Sequence, residues 1–516
     1  MGGPHGNPGT SVNLAKLVPV TNLKDCRECP PPLLSLCTPS PMARLALLLF
    51  TLLFALSSAA PAQTAPRPPN VIVILVDDMG QTDAACYGSR LYATPHIDQL
   101  AKDGVRFTDG YSACTVCSPT RAALLTGKYP ARLRITDWIA GHDKPKAKLK
   151  IPDWQKFLPH NEVTLAEQLK SAGYATASIG KWHLTPGLKE GDAAYYPEKH
   201  GFDVNLGGYA RGQPPSYFSP YGIPTLSEGP KGEFLTDREA AEAVKFMEAN
   251  RDRPFFIYLP HYAVHTPLAG KPEVIAQYKG KIDADATLKQ RNATYAALVS
   301  SVDDALGTIR ANLRRLKLED NTIIIFTGDN GGLLPVTENS PYRAGKGSAY
   351  EGGVRVPLIA FWPGVTKGGV VDPTPAITLD LYPTVLEMTG IKPLTAQVDG
   401  RSLAPVLRGG KLDRDAIYWH YPHYHPGGAT PYSAIRKGDF RLVHFYEDNR
   451  DELYDLAQDI GETKDLVPSQ PAKAKELRAQ LDAWLKTVDA QLPTANPNYD
   501  PNAAKAKGPA GNKAKK

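Results

Sequence analysis

Short apolar, β-branched runs alternate with amphipathic stretches along most of the chain. Five runs, at residues 71–76, 175–179, 255–259, 322–326 and 358–361, read as strands buried on both faces. Thr164–Ala172 and Tyr295–Leu313 carry the helical period between them. The pattern predicts an α/β fold: a large, mostly parallel sheet covered by helices on both faces. Four of the five runs end in polar clusters, namely Asp77-Asp78, Lys181-x-His183, His261-x-x-x-His265 and Asp329-Asn330. Ligands of open α/β sheets bind beyond the carboxyl ends of the strands. The pattern therefore predicts that the chemistry converges at that edge.

Past about residue 405 the texture changes to short strand-like segments at Ala416–His420, Tyr432–Ile435 and Phe440–Phe445. Glu452–Leu456 and a helix over Ala472–Val488 follow. This predicts a smaller C-terminal α+β subdomain with an antiparallel sheet, at residues 406–492, after a catalytic domain at 66–405. From Pro493 the chain is mostly Pro, Asn, Ala and Lys, and residues 493–516 are expected to be a disordered, Lys-rich tail.

The ends also hold the positive charge. The net charge is +6, of which the tail from Pro501 contributes +5 and residues 1–62 contribute +2, leaving −1 for the body. A basic face for nucleic acid is therefore not expected. Met42-Ala43-Arg44, the apolar run Leu45–Leu56 and Ala60-Pro61-Ala62 read as a signal peptide over 42–62. That run is short for a bilayer, which needs about 20 residues, so no stable membrane anchor is expected. A secreted or periplasmic protein starting at Met42 follows, with residues 1–41 a mis-assigned or disordered extension. Cys26, Cys29 and Cys37 then drop out, and Cys86, Cys114 and Cys117 remain. They form no disulfide framework, although Cys86 and Cys114 are a candidate pair.

Two acidic clusters at strand ends, Asp77-Asp78 and Asp329-Asn330, offer an all-oxygen site for a hard divalent cation. Calcium tolerates irregular oxygen geometry better than magnesium, so Ca2+ is expected first and Mg2+ second. Pro119 fits the first turn of a helix running to about Leu125 and ended by Gly127. Cys117 then sits just ahead of an N-terminus that favours an anion.

Cys117-Ser118-Pro119-Thr120-Arg121, leading into Ala122-Ala123-Leu124-Leu125-Thr126-Gly127, resembles the signature of the sulfatase family. The resemblance spans about residues 69 to 460. It implies the alkaline phosphatase superfamily fold and a sulfuric ester hydrolase whose Cys117 a formylglycine-generating maturation enzyme oxidises. In the family the hydrated aldehyde is the nucleophile: one hydroxyl attacks sulfur, and the other later loses its proton to expel sulfate. By the same resemblance Asp77, Asp78, Cys117, Asp329 and Asn330 hold the metal. Lys181, in Gly180-Lys181-Trp182-His183-Leu184, and Lys346, in Gly345-Lys346-Gly347, bind sulfate. His183 serves as base, His265 protonates the leaving alcohol, and Arg121 steadies the formylglycine hydroxyls. The charge logic stands beside the analogy, because fixed cations stabilise the charge that a sulfuryl transition state spreads over its oxygens. Gln81-Thr82 departs from the family's usual aromatic and glycine, which is expected to alter pocket shape.

Specificity is expected from the segments 138–142 and 419–425, with His423 and His425 touching substrate. Aromatic faces and histidines suit a sulfated carbohydrate, with a galactose or N-acetylgalactosamine sulfate as the expected unit. An arylsulfatase acting on small phenolic sulfates and a phosphonate monoester or phosphodiester hydrolase of the same superfamily are the alternatives.

Overall fold

The central strand, Asn70–Val76 (β1), is buried along its whole length and pairs in parallel with a strand on each side. In this computed structural model, which describes residues 67–187 and 192–502, seven further strands join it. They are Val105–Phe107 (β2), Ala175–Ile179 (β3), Val204–Leu206 (β4), Phe255–His261 (β5), Thr322–Gly328 (β6), Leu358–Phe361 (β7) and Val370–Asp372 (β8). The order across the sheet is β8-β2-β7-β6-β1-β5-β3-β4. Only β7 runs against its neighbours. All five runs of the sequence pattern are strands. The three-residue strands β2, β4 and β8 were not anticipated.

Alternate residues of β1 face opposite layers, as the twofold period of a strand requires. Val71, Val73 and Leu75 pack against Cys117–Thr126 (α1), Leu165–Ser171 (α2) and Leu381–Thr389 (α5). Ile72, Ile74 and Val76 pack against Leu235–Ala249 (α3) and Ala293–Arg315 (α4) on the other side. Each fully buried aliphatic side chain of this kind is worth about 1.5–3 kcal/mol. Helix α2 starts at a capping box: the Thr164 hydroxyl accepts from the Glu167 amide at 3.1 Å, and the Glu167 carboxylate accepts from the Thr164 amide at 2.7 Å.

A separate antiparallel sheet follows, built from Ile417–Tyr421 (β9), Tyr432–Lys437 (β10), Phe440–Phe445 (β11) and Arg450–Asp455 (β12). Helix Pro471–Thr487 (α6) covers it. Buried ties join it to segments beside the main sheet: Trp419 Nε1 donates to the Ser112 carbonyl at 2.9 Å, and Arg441 pairs with Glu351 at 2.7 Å.

The expected disorder from Pro493 does not hold through its first part. Thr494 and Ala495 pair with Lys150 and Leu149, and Asn496 Nδ2 donates to the carbonyls of Pro145 and Ala147. Backbone pairing and a side-chain clamp outweigh the polar composition there. The expected leader at 42–62, the segment 1–41 and the last lysines lie outside the described residues.

Candidate active site

Four adjacent parallel strands, β6, β1, β5 and β3, deliver their carboxyl ends to one edge of the sheet, and the polar clusters stand there together. Asp77 and Asp78 follow β1, and Asp329 and Asn330 follow β6. The Asp78 amide donates to Asp329 Oδ1 at 3.0 Å, and Asn330 Nδ2 donates to Asp78 Oδ1 at 2.8 Å. Asp78 and His183 hold left-handed backbone, at φ 63° and 60°. Non-glycine residues adopt such angles at a cost, and strain of this sort gathers at functional sites.

Cys117 is the first residue of α1, whose every residue is buried. The sequence pattern placed it one step ahead of the helix; the structure puts it in the first turn. Gly127 ends the helix at φ 68° as expected. Ligating atoms of Asp77, Asp78, Cys117 and His265 all lie within 4.8 Å of one another.

Three basic side chains meet these acids. Lys181 Nζ lies 2.6 Å from Asp77 Oδ2, and Lys346 Nζ 2.6 Å from Asp78 Oδ1. Arg121 grips Asp329 Oδ2 through Nε at 3.0 Å and a terminal nitrogen at 2.8 Å, and donates to the Lys181 carbonyl at 3.1 Å. Lys181 is placed by Gly180, at φ 115°, where a Cβ would come 2.2 Å from the Pro260 carbonyl oxygen. Burial pushes the Asp77 carboxyl up to about 8, against the pull of Lys181. Burial works on Asp78 in the same sense, but Lys346, His265 and Lys181 together hold it below the usual carboxylate range. Burial also raises the Cys117 thiol, with Lys181 and Lys346 opposing it.

The donor set fits a hard cation. One oxygen each of Asp77 (Oδ1), Asp78 (Oδ2) and Asn330 (Oδ1) is buried without a hydrogen-bond partner. Orphaned buried oxygens are costly, and three beside a thiol are what an oxygen-seeking ion would satisfy. Both oxygens of Asp329 already accept, from the Asp78 amide and from Arg121.

The histidines differ in hydrogen bonding. His183 Nε2 donates to the Ile139 carbonyl, and its Nδ1 has no partner. His265 Nδ1 donates to the Thr266 carbonyl at 2.7 Å, leaving Nε2 3.6 Å from Asp78 Oδ2. Burial lowers both, His265 to about 3 with Lys346 adding to the effect. His261, given no role from sequence, pairs with Glu239 at 2.6 Å.

A cavity of about 630 Å³ opens over Cys117, His183, His265 and Lys346. Trp138, Ile139 and Ala140 line it, and so does His425. The expected wall at 419–423 is elsewhere. His423 is fully buried behind the site, with Nε2 2.8 Å from Thr136 Oγ1 and its ring edge-on to Trp154. Trp419 packs edge-on to Tyr111 between the two sheets. Gln81 does not shape this pocket, because its amide donates to the carbonyls of Thr108 and Val356. Cys86 and Cys114 are free thiols in this structure, so the candidate disulfide is absent.

Gly187, residues 210–213, Leu333 and Pro426 complete the lining and escaped sequence reasoning. They lie in loops without periodicity or motif, and no signal in a single sequence marks them. A second cavity of about 580 Å³ adjoins the first and shares Leu333, Lys346, His425 and Pro426 with it.

Comparison with known proteins gives concordant results. A family profile described as Sulfatase matches residues 69–391, and one described as N-sulphoglucosamine sulphohydrolase, C-terminal, matches residues 345–491. Human arylsulfatase A is 33% identical over 486 residues, covering 81% of this chain and 89% of its own. Human N-acetylgalactosamine-6-sulfatase is 34% identical over 388 residues, 69% of each chain. The crystal structure of Ps i-CgsB in complex with k-i-k-neocarrahexaose superposes with a TM-score of 0.68 at 29% identity, covering 85% of this chain and 96% of that one.

Proposed function

The chain belongs to the sulfatase family and is a sulfuric ester hydrolase, and from that premise we propose that its substrate is a sulfated carbohydrate cleaved at the Cys117 cavity. The observation that carries this reading is the meeting of Cys117 with Asp77, Asp78 and His265 at the floor of a cavity large enough for a sugar. Oxidised to formylglycine, Cys117 supplies a hydrated aldehyde as nucleophile. Cys117 is only 2% exposed, so the maturation enzyme would meet it before the chain folds. A cation, Ca2+ first and Mg2+ second, would be held by Asp77, Asp78, Asp329, Asn330 and the modified residue 117. When bound, such an ion would supply positive charge to stabilise the reacting sulfate.

The remaining roles belong to side chains of the chain itself. Lys181 and Lys346 point ammonium groups at the acid cluster and bind sulfate oxygens there. The free Nδ1 of His183 takes the hydroxyl proton. His265, oriented by the Thr266 carbonyl, takes up a proton at Nε2 beside the bound sulfate anion and passes it to the leaving oxygen. Arg121 fixes Asp329 and the backbone of Lys181. His425 touches the sugar; His423 acts only through packing behind the wall.

The adjoining second cavity supports a saccharide of more than one ring, with galactose or N-acetylgalactosamine as the sulfated unit. The apolar wall of Trp138, Ile139 and Leu333 is the observation that favours the second reading, an arylsulfatase acting on small phenolic sulfates. The Lys181, His183 and Lys346 set favours sulfate over the phosphonate and phosphodiester alternative. We read residues 66–405 as the catalytic domain and 406–492 as its subdomain. We also read the protein as exported by the segment at 42–62; no described helix is long and apolar enough to cross a membrane.

The test is sulfate release from sulfated saccharides differing in sugar and position, beside aryl sulfates, by protein matured with a formylglycine-generating enzyme. Release from one sugar and position supports the carbohydrate reading. Cleavage of aryl sulfate alone would replace it with the second.

A further inference from the structure

We infer that Arg211 forms a second anion site in the cavity wall, selecting substrates that carry another carboxylate or sulfate besides the ester that is cleaved. This rests on the sulfatase reading of the cavity but adds a residue and a substrate feature to it.

Arg211 lines the same cavity as Cys117, His183, His265 and Lys346, and it is exposed there. Among the described residues no aspartate or glutamate lines that cavity. Among the described residues no ion pair or side-chain hydrogen bond engages the Arg211 guanidinium. Other arginines behave otherwise: Arg343, Arg355, Arg436 and Arg441 each find a carboxylate or carbonyl partner. The acids at the cavity floor are already met by Lys181, Lys346 and Arg121. Among the described residues Arg211 is thus a cation with no acid to neutralise it, in a wall it shares with Gln213, Lys346, histidines and apolar side chains.

Its backbone is tied to the reacting centre on both sides. The His183 amide donates to the carbonyl of buried Tyr209 at 3.2 Å. Gly212 lies against the His183 ring so closely that a Cβ there would come 2.4 Å from Cε1. The segment is therefore registered on His183, and the guanidinium projects from a fixed base rather than a wandering loop. A guanidinium recognises a carboxylate or sulfate through paired N–H donors, which a point-charge ammonium cannot reproduce. A saccharide with its scissile sulfate at Lys346 would present a neighbouring anion to this wall.

The experiment measures binding by calorimetry in the Cys117→Ala protein, which holds ligand without turnover. The probes are N-acetylgalactosamine 6-sulfate, its 4,6-disulfate, and the disaccharide joining the 6-sulfated sugar to a uronic acid. The quantity read is the ratio of Kd between the singly charged probe and each doubly charged one. With Arg211 present the second anion tightens binding about tenfold, and Arg211→Ala brings the ratio close to one. Arg211→Lys restores part of it. The arm that shows the gain tells carboxylate from sulfate. A ratio near one with Arg211 intact, or a tenfold ratio that survives Arg211→Ala, overturns the proposal and leaves an ordinary surface arginine. Failure of the matured protein to release sulfate would instead overturn the functional reading, independently of these ratios.

Discussion

His183 gives its Nε2 proton to the carbonyl of Ile139, which leaves the lone pair on Nδ1, a buried atom without a partner. One backbone carbonyl thereby selects the tautomer that can accept a proton at the opposite nitrogen. Burial, with Lys181 nearby, holds this ring well below the ordinary histidine value of 6.5, so it is neutral at that pH with Nδ1 open to a proton. His183→Gln should lower kcat by about 10²–10⁴-fold. A pH profile of kcat/KM should show no limb due to His183 at 6.5 or above. A limb near 6.5 that vanishes in His183→Gln would mean that burial does not govern this group.

Leaving groups separate the other histidine. His265→Ala should cost a saccharide sulfate about 10²–10⁴-fold in kcat, because a sugar alkoxide needs a proton. The same change should cost 4-nitrophenyl sulfate far less, since nitrophenolate leaves unaided. Equal losses on both substrates would remove His265 from the role of acid.

Orphaned oxygens of Asp77, Asp78 and Asn330 predict a measurable ion effect on stability. Ca2+ at about a hundred times its Kd should stabilise the fold by about 2.7 kcal/mol, seen as a higher Tm. Asp78→Asn should abolish that shift. Chelation should remove activity, and Ca2+ should restore it. A Tm indifferent to Ca2+ and Mg2+ alike would contradict the cation site.

Much of this arrangement was legible in the sequence, for physical reasons. Runs such as Val71–Val76 are apolar throughout because both faces of a central strand are covered, and their polar ends mark the sheet edge. Cys117, Lys181 and His265 sit in compact motifs, so each could be placed from neighbours in sequence. The edge strands Val105–Phe107 and Val204–Leu206 are three residues long, too short to show a period. Trp419 and His423 illustrate the converse limit. Their aromatic company suits a sugar wall and a packed interface equally, and only the fold shows that they lie behind the cavity. Arg211 belongs to a loop whose position is set by contacts with His183, which no local pattern encodes.

His200 reports on acid stability away from the reacting centre. It is fully buried, neither ring nitrogen has a partner, and it stacks near His160 and Trp182. Burial lowers it from 6.5 to about 4, with His160 adding to the effect. The folded state therefore resists protonation, while the unfolded chain takes a proton below 6.5. The His200 contribution is present above 6.5 and is lost as pH falls toward 4, by about 3 kcal/mol at most. His200→Phe should flatten the fall in Tm between pH 6.5 and 4 relative to the parent protein. Parallel curves for the two proteins would show that His200 titrates normally.

The central claim is sulfate ester hydrolysis at Cys117, and ion chromatography tests it most directly. Matured protein and its Cys117→Ala variant are given sulfated saccharides, 4-nitrophenyl sulfate and a matched phosphonate monoester and phosphodiester, and released sulfate, phosphonic acid and phosphate monoester are all counted. The account predicts sulfate release by the parent protein, its loss in Cys117→Ala, and little or no phosphonic acid or phosphate monoester. Release of either phosphorus product in excess of sulfate, or sulfate release undiminished in Cys117→Ala, would contradict it.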